Sequence, residues 1–331
     1  MKWQENVWYL LPISKKTKTD GSVKTVFVRE DFCMIDLHTH STKSDGTLTP
    51  SELVIHAMEK GLTTFALTDH DTIDGIDEAI MYAEKLKEGT EPIPERLKKD
   101  GTFPDVPEVV PGIEFSTEWH GKDVHVVALQ IDHKKEAFLG KLKDFIDSRD
   151  GRNEKMCEKL ASLGIGITYA GMLEMFPDCV LTRAHFAKYL MEYGYVKTSK
   201  EAFERYLSPG CPGYVPREKI TPVQAVQMAL SADGIPVLAH PLSYELASGE
   251  LETLIQEMKA AGLMGIEALY CTHTLSDEGY VRSLATKYDL AISGGSDFHG
   301  ENKPGLDMGT GYGSLYIPDS VWPDLKKAAG R

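Results

Sequence analysis

The sequence predicts an α/β protein built on a closed or nearly closed barrel of parallel strands. Short apolar strands alternate with helices from Met34 onward, seven strands can be counted, and histidine or carboxylate residues follow most strand ends. Repeated strand–helix units indicate parallel strands, because each helix returns the chain to the same edge of the sheet. Seven such strands favour a barrel, and an open doubly wound sheet is the alternative fold.

Length and composition support one large barrel domain that carries an insertion. The chain has 331 residues, of which 42% are hydrophobic and 26% charged, as in ordinary globular proteins. Acidic residues outnumber basic ones 50 to 36, for a net charge of −14. This charge argues against a protein that coats duplex nucleic acid or an anionic membrane, but it allows a small phosphorylated substrate held locally by metal or arginine.

The cysteines and the amino-terminal segment indicate a reducing compartment. Five widely spaced cysteines form no CxxC pair, so neither a disulfide framework nor a thiolate zinc site is expected. The apolar run at 7–13 is too short for a membrane span and lacks the features of a signal peptide. We therefore expect a cytoplasmic protein without a membrane anchor. The sequence does not indicate a protein partner.

The first elements can be justified in chain order. Residues 1–33 are predicted to be an extension with a hairpin, because the polar turn at Asp20-Gly21 precedes the alternating stretch 23–28. Thr49-Pro50-Ser51-Glu52 predicts a helix start with a capping box, and that helix ends at Gly61. The first barrel segment is 34–133, with strands predicted at 34–37, 62–67, 109–115 and 124–129, a second helix at 76–86 and a surface loop at 87–108.

Residues 134–220 interrupt the barrel pattern and are predicted to be a helical insertion. Phe138, Leu142 and Ile146 recur at helical spacing. This segment has 15 basic and 12 acidic residues, a net charge of +3 on a chain that is otherwise acidic. A lid that faces an anionic substrate fits this charge, and a solvated lid without a ligand is the alternative. The barrel resumes over 221–331, with a capped helix start at Thr221-Pro222, strands at 235–239, 265–270 and 290–293, and helices near 251–261 and 278–288.

Nine candidate metal ligands lie at or near the strand ends. The carboxyl ends of barrel strands meet at one face, here called the mouth, so these side chains are expected to converge. They are His38, His40, Asp45, His70, Glu114, His125, His240, Asp297 and His299. Imidazole and carboxylate ligands without thiolates suit Mn²⁺, Zn²⁺ or Fe²⁺. Nine ligands are too many for one ion, so two or three divalent ions bridged by Glu114 are predicted.

The motifs that contain these residues resemble those of the polymerase and histidinol phosphatase (PHP) family of metal-dependent phosphoesterases. The resemblance covers 34–133 and 221–300 and implies a distorted (β/α)₇ barrel with a trinuclear site. The matching motifs are His38-Thr39-His40 with Asp45-Gly46, Thr68-Asp69-His70-Asp71, Pro111-Gly112-Ile113-Glu114, Ala239-His240-Pro241 and Gly295-Ser296-Asp297-Phe298-His299.

The same resemblance implies which residues would hold each ion. Asp45 stands where several branches of the family have histidine, which favours a harder metal at the third position. The implied sets are His38, His40, Glu114 and Asp297 for the first ion, Glu114, His125 and His240 for the second, and Asp45, His70 and His299 for the third.

Part of the insertion resembles a narrower branch of the family. Leu181-Thr182-Arg183-Ala184-His185-Phe186-Ala187 and Pro212-Gly213-Tyr214-Val215-Pro216 are similar to the insertion of enzymes that hydrolyse nucleoside 3′,5′-bisphosphates and trim short RNAs from the 5′ end. The resemblance implies that Arg183 and His185 contact substrate phosphates, although Arg183 could instead pair with a neighbouring carboxylate. Tyr214 and His273 are further candidate substrate contacts, for which a structural role is the alternative.

These observations predict a metal-dependent phosphoesterase that acts on small nucleotides. A divalent ion lowers the pKa of bound water to about 7, so a metal-bridging hydroxide can attack phosphorus at neutral pH. Glu114 would bridge the ions, Arg183 would clamp the phosphate, and either Asp71 or metal-bound water would protonate the leaving group. The alternatives are a histidinol-phosphate phosphatase, a C–N hydrolase, which would need a lysine at a strand end, and a metal-stabilised module without catalytic activity.

Overall fold

The computed structural model describes residues 14–19, 22–27, 34–216 and 220–331 of the chain. The chain divides into two compact units, residues 1–33 and residues 34–331. In the first unit, β1 (Ser14–Thr19) and β2 (Ser22–Phe27) pair in antiparallel register, with Ser14 opposite Phe27 and Thr19 opposite Ser22. The turn predicted at Asp20-Gly21 lies outside the described residues.

The second unit contains a nearly closed seven-stranded barrel. Its strands neighbour one another in chain order, and they are β3 (Met34–Thr39), β4 (Leu62–Leu67), β5 (Glu108–Trp119), β6 (Lys122–Leu129), β7 (Ile235–Leu238), β8 (Gly265–Tyr270) and β9 (Ala291–Gly295). The two ends of the sheet meet where Thr39 pairs with Phe298 and the Asp297 amide donates to the His38 carbonyl over 2.9 Å. The predicted barrel is therefore confirmed, and the open sheet is not what forms.

One strand runs against the others. β5 and β6 are antiparallel neighbours, joined by a turn at His120-Gly121 in which both residues have positive φ, 50° and 78°. β6 is also antiparallel to β7, whereas the remaining neighbours are parallel. The expectation of parallel strands is wrong for β6, because a two-residue hairpin turn replaces the helix that a parallel return requires.

Local capping signals set where the outer helices begin. Thr49 Oγ1 accepts a hydrogen bond from the Glu52 amide over 3.2 Å, and Glu52 Oε2 accepts one from the Thr49 amide over 2.8 Å, which confirms the predicted capping box. Thr221 and Gln224 make the equivalent pair. The helices around the barrel are α1 (Pro50–Lys60), α2 (Ile76–Glu88), α7 (Pro222–Ser231), α8 (Ser248–Ala261), α9 (Leu275–Lys287) and α10 (Val321–Ala328), with 3₁₀ turns at Glu95–Leu97 and Gly300–Asn302.

The segment between β6 and α7 is helical. It contains α3 (Glu136–Ser162), α4 (Tyr169–Met175), α5 (Arg183–Glu192) and α6 (Ser199–Ala202), followed by a π-helical turn at Phe203–Leu207. Phe138 and Leu142 are buried in the same apolar cluster as Val124 of the barrel. A separate cluster, from Met156 to Val215, forms a core of its own. The long helix α3 is therefore shared between the barrel and the insertion.

The described helices differ from membrane-spanning ones in length or in apolar character. Within the described ranges, none of them combines the length with the apolar character that a membrane crossing requires. The longest, α3, carries charged residues along its length, for example Lys141, Glu154 and Lys159.

Candidate metal centre

The nine predicted ligands come together at the mouth of the barrel, around the carboxylate of Glu114. This carboxylate is buried and lies close to five imidazoles. Its Oε1 is 2.9 Å from His125 Nδ1, 3.1 Å from His240 Nε2 and 3.3 Å from His38 Nε2, and its Oε2 is 2.9 Å from His70 Nδ1 and 3.3 Å from His40 Nε2.

The two remaining carboxylates lie next to some of these imidazoles and next to His299. Asp297 Oδ1 is 3.3 Å from both His40 Nε2 and His299 Nδ1. Asp45 Oδ1 is 3.2 Å from His299 Nε2 and 3.7 Å from His70 Nε2. The centre is therefore a continuous set of nitrogen and oxygen atoms contributed by six strands or the loops that follow them.

The reversed direction of β6 explains how His125 reaches this set. His125 lies in the amino-terminal half of its strand and pairs with Ser116, two residues beyond Glu114 on β5. Because β6 is antiparallel, its amino-terminal half lies beside the carboxyl-terminal ends of its neighbours. At β9, Gly295 allows the close approach, since a Cβ there would stand 2.1 Å from His38 Cβ. His38 and Asp297 can therefore face the same space.

Four overlapping groups of these residues offer atoms within 4.8 Å of one another, close enough for one ion each. They are His40 with Asp45, His70 and His299; His38 with Glu114 and His240; His38 with His40 and Asp297; and His70 with Glu114 and His125. The set Asp45, His70 and His299 falls within one group. His125 and His240, which the resemblance assigned to a single ion, fall in different groups that share Glu114.

The unsatisfied atoms of the centre fit a set of divalent cations. Among the described residues, His38 Nε2, His40 Nε2, Asp45 Oδ1 and Glu114 Oε2 are buried without a hydrogen-bond partner. Buried polar atoms are normally paired, because leaving them unpaired costs free energy. These atoms point into one space and are of the types that bind Mn²⁺, Zn²⁺ or Fe²⁺, so a metal cluster would satisfy them.

The charge states suit metal binding. Burial alone would raise the pKa of Glu114, but His38, His125 and His70 outweigh it and hold that pKa well below the usual range. Asp45 and Asp297 likewise have pKa values well below their ordinary value despite burial. All three carboxylates are therefore ionised at neutral pH.

The imidazoles differ among themselves. Burial lowers the pKa of His125 and of His299 to about 4, so both rings are neutral at pH 7 and can offer a lone pair. Burial also lowers the pKa of His38, but Glu114, Glu267 and Asp297 outweigh it and raise that pKa well above its ordinary value. A cation bound beside His38 would take the place of a proton there.

Two residues that the sequence reasoning missed hold atoms of the centre in place. Glu267 on β8 is buried, with Oε1 3.2 Å from His38 Nδ1, and its Oε2 accepts the His240 amide over 2.7 Å. Lys303 Nζ lies 2.5 Å from Asp297 Oδ2, which also accepts the Tyr270 hydroxyl over 2.8 Å. An acid within the apolar strand 265–270 was a signal that could have found Glu267, whereas Lys303 lies in an irregular loop without such a pattern.

Buried aspartates fasten the loops that carry the ligands. Asp69 accepts the Ser41 amide over 2.7 Å and the hydroxyls of Ser41 and Ser44 over 2.6 Å. Asp36 accepts the Ser296 amide over 2.9 Å and its hydroxyl over 2.5 Å. The loops after β3 and β9 are thereby fixed next to the barrel, which orients the ligands they contain.

Asp71, one of the two proton donors that the sequence left open, lies just after β4 and is buried. Its Oδ1 accepts the Ser116 amide over 2.7 Å, and its own amide donates to the Glu114 carbonyl over 3.0 Å. Asp71 therefore joins the end of β4 to β5 directly beside Glu114.

Two of the predicted substrate contacts lie on α5 and are engaged with protein groups. Arg183 forms an ion pair with Asp123 of β6, the alternative that the sequence left open, and its guanidinium carbon is 6.0 Å from the centre of the Phe203 ring. His185 is buried, and its Nδ1 accepts the Thr182 amide over 3.0 Å, which completes the capping box of α5.

The other two candidate substrate contacts, Tyr214 and His273, lie among both charged and uncharged protein groups. Burial raises the pKa of the half-buried Tyr214 hydroxyl. The charges of Arg183 and Arg152 act to lower that pKa, and the charge of Asp123 acts to raise it. His273 Nδ1 lies 2.9 Å from the Ala268 carbonyl oxygen. Its Nε2 is buried and has no hydrogen-bond partner among the described residues. No described protein group therefore competes with a ligand for this nitrogen.

Known proteins resemble this chain over most of its length. The family model described as "PHP domain" matches residues 36–209, more than half of the chain. A 5′-3′ exoribonuclease from Haemophilus influenzae is 36% identical over 264 residues, covering 80% of this chain and 89% of that protein. A 3′,5′-nucleoside bisphosphate phosphatase from Chromobacterium violaceum is 33% identical over 293 residues, covering 88% and 96%.

Two solved structures share this fold over about nine tenths of the chain. A protein from Chromobacterium violaceum, named an amidohydrolase and solved with sulfate and no metal, has a TM-score of 0.73 at 33% identity, covering 89% of this chain and 97% of that one. A protein from Bifidobacterium adolescentis, assigned as a metal-dependent phosphoesterase, has a TM-score of 0.72 at 26% identity, covering 90% and 98%. The matched family model, the relatives and the shared fold together show that the chain belongs to the PHP domain family.

Proposed function

We propose that this protein removes phosphate from small nucleotides, namely nucleoside 3′,5′-bisphosphates or the 5′ ends of short RNAs. Its class is a metal-dependent hydrolase of phosphoric esters, in line with the PHP relatives. The observation that carries the proposal is the cluster of six imidazoles and three carboxylates around Glu114 at the mouth of the barrel.

We assign the nine clustered residues as metal ligands. Bound divalent ions, Mn²⁺, Zn²⁺ or Fe²⁺, would neutralise phosphate charge and lower the pKa of a water molecule in the centre. The assigned sets are His38, His40, Glu114 and Asp297; Glu114, His125 and His240; and Asp45, His70 and His299. Glu114 is the shared ligand because its two oxygens face different groups of imidazoles.

The insertion supplies the proposed phosphate contact. Arg183 stands at the first turn of α5, and a planar guanidinium can bind two phosphate oxygens at once. Asp123 holds the guanidinium in the structure, so a substrate phosphate would take over the place of this carboxylate. Tyr214, His185 and His273 are proposed to line the substrate with it. The charge of +3 over 134–220 supports an anionic substrate at this face.

Asp71 is the proposed proton donor to the leaving group. Its Oδ1 is engaged with the Ser116 amide, so Oδ2 is the atom that would hold the proton. Its position beside Glu114 supports this role, because a general acid must lie within reach of the bond that breaks.

The proposal is tested by measuring phosphate release from adenosine 3′,5′-bisphosphate, histidinol phosphate and a short 5′-phosphorylated RNA with the Mn²⁺-loaded enzyme. We expect turnover of the bisphosphate or the RNA, loss of turnover in Glu114→Gln with the fold retained, and a raised KM in Arg183→Ala. If histidinol phosphate is the best substrate and Arg183→Ala changes nothing, the nucleotide assignment is wrong. Loss of folding in Glu114→Gln, with no turnover by wild type, would indicate a structural metal.

A further inference from the structure

A threonine of the insertion contacts one of the proposed metal ligands. Thr182 precedes α5, is 8% exposed, and its hydroxyl donates to Asp45 Oδ2 over 3.0 Å. The other oxygen, Asp45 Oδ1, faces His299 and His70, and it is buried without a hydrogen-bond partner among the described residues. The two oxygens of this carboxylate are thus divided between the insertion and the metal centre.

The insertion also contacts the backbone of the loop that carries Asp45. The Val180 amide donates to the Lys43 carbonyl over 2.9 Å. The 3₁₀ turn after β9 contacts this loop as well, because Asn302 Nδ2 donates to the Asp45 carbonyl over 2.7 Å. The described contacts of Asp297 Oδ2 come instead from barrel residues, Tyr270 and Lys303. Asp45 is therefore a proposed ligand that the insertion contacts directly.

We propose that Thr182 is a positioning residue for Asp45, so that the helical insertion completes the metal position formed by Asp45, His70 and His299. The inference rests on the proposed metal-binding function. A hydroxyl that donates to Oδ2 restricts rotation of the carboxylate and leaves Oδ1 directed at the ion. Coupling of this kind is reciprocal, so an ion at this position also holds the start of α5 against the barrel.

The direct test is Mn²⁺ binding to Thr182→Val, a change that removes the hydroxyl and keeps the side-chain shape. We expect three equivalents in wild type, with one equivalent weakened by about 10- to 100-fold in the variant and the other two unchanged. Thr182→Ser retains the hydroxyl and should restore the affinity. Binding is measured by isothermal titration and by metal content after dialysis, which do not depend on turnover.

Thr168→Val is the matched control. Thr168 Oγ1 accepts the Gly171 amide over 3.0 Å at the start of α4, so this variant also removes a capping hydroxyl from the insertion. If Thr182→Val binds all three equivalents as tightly as wild type, or if both variants weaken binding equally, the inference is wrong. If wild type binds fewer than three equivalents, the third position itself is absent and the proposed ligand assignment fails with it.

Hydrogen exchange of the α5 amides gives an independent readout from the other side of the contact. In wild type, Mn²⁺ should slow exchange at the start of α5. Asp45→Asn keeps an acceptor for Thr182 but lacks the charge that holds the ion, so its α5 amides should exchange at the same rate with and without Mn²⁺. Metal-dependent protection of α5 that persists in Asp45→Asn would overturn the coupling.

Discussion

At the scale of single residues, His38 and Asp297 each divide their polar atoms between the proposed centre and another protein group. His38 turns Nε2 toward Glu114 and Nδ1 toward Glu267. Asp297 turns Oδ1 toward the imidazoles of His40 and His299 and Oδ2 toward Tyr270. Partners of this kind fix the tautomer and the orientation of a ligand before an ion arrives, so they contribute to metal affinity without touching the ion.

The first prediction concerns Glu267. Glu267→Gln keeps the shape of the side chain but presents an amide where the carboxylate holds His38 Nδ1. We expect metal affinity to fall by about 10- to 100-fold, with the fold retained, because the imidazole loses its orienting partner. Mn²⁺ titration measures the effect, and Glu158→Gln at an exposed position of α3 is the control. Equal affinities for the two variants would show that Glu267 does not orient His38.

The second prediction concerns pH and the metal-free protein. The folded pKa of His299 is about 4, against an ordinary value of 6.5, first because of burial and then because of the charges of His40 and Lys303. Between these values the unfolded chain binds a proton that the folded chain does not, so acidification favours unfolding. From pH 7 to pH 5 this residue should remove about 2 kcal/mol from the free energy of unfolding.

Denaturant unfolding at the two pH values measures this loss. In His299→Asn the titrating group is absent, so the free energy of unfolding should fall by about 2 kcal/mol less than in wild type over the same interval. An equal fall in both proteins would mean that another group dominates the acid sensitivity in this range.

At the scale of elements, β6 and the insertion contact each other at the proposed phosphate-binding residue, Arg183. β6 carries His125 into the centre and also carries Asp123, which pairs with Arg183 at the start of α5. The side chain of Asp123 is 40% exposed, so this ion pair contributes little stability. Its expected effect on function is larger, because under the proposed function a substrate phosphate would have to compete with Asp123 for the guanidinium of Arg183.

The third prediction follows from this competition. In Asp123→Asn the guanidinium of Arg183 is no longer held by a carboxylate, so KM for the nucleotide substrate should fall by up to about fivefold, with kcat little changed. Steady-state kinetics measures the split, and Asp233→Asn, which removes an exposed partner of Lys135, is the control. A raised KM in Asp123→Asn would show instead that Asp123 aids substrate binding.

At the scale of the whole molecule, the proposed metal centre brings together residues from the two segments of the barrel chain. Residues before the insertion contribute His38 and Glu114, and residues after it contribute His240, Asp297 and His299. Ions bound between these segments would therefore stabilise the fold as a whole, because they bind the folded chain far better than the unfolded one.

The fourth prediction is that metal removal lowers global stability. At a free Mn²⁺ concentration roughly 100 times Kd, each bound ion should add about 3 kcal/mol to the free energy of unfolding. Calorimetry after chelation and after Mn²⁺ addition measures the difference. Glu114→Gln, which alters the shared ligand, should lose most of the gain, and an unchanged thermal midpoint in wild type would argue against bound ions.

Much of this molecule could be predicted from the sequence because the signals involved are local. The capping box at Thr49 and Glu52 and the alternation of apolar strands with helices depend on residues that are near one another in the chain. The convergence of the nine proposed ligands follows from one further rule, that the carboxyl ends of barrel strands share a face. These features determine the barrel and the composition of its centre.

Only the tertiary structure decided the direction of β6 and the partners of the ligands. The hairpin at His120-Gly121 sets the direction of β6, whereas Glu267 and Thr182 reach His38 and Asp45 across 229 and 137 positions of the chain. Such contacts depend on how whole elements pack, and no spacing in the sequence encodes them. The sequence by itself therefore determined which atoms can bind metal, and the packing of the elements decided how those atoms are held.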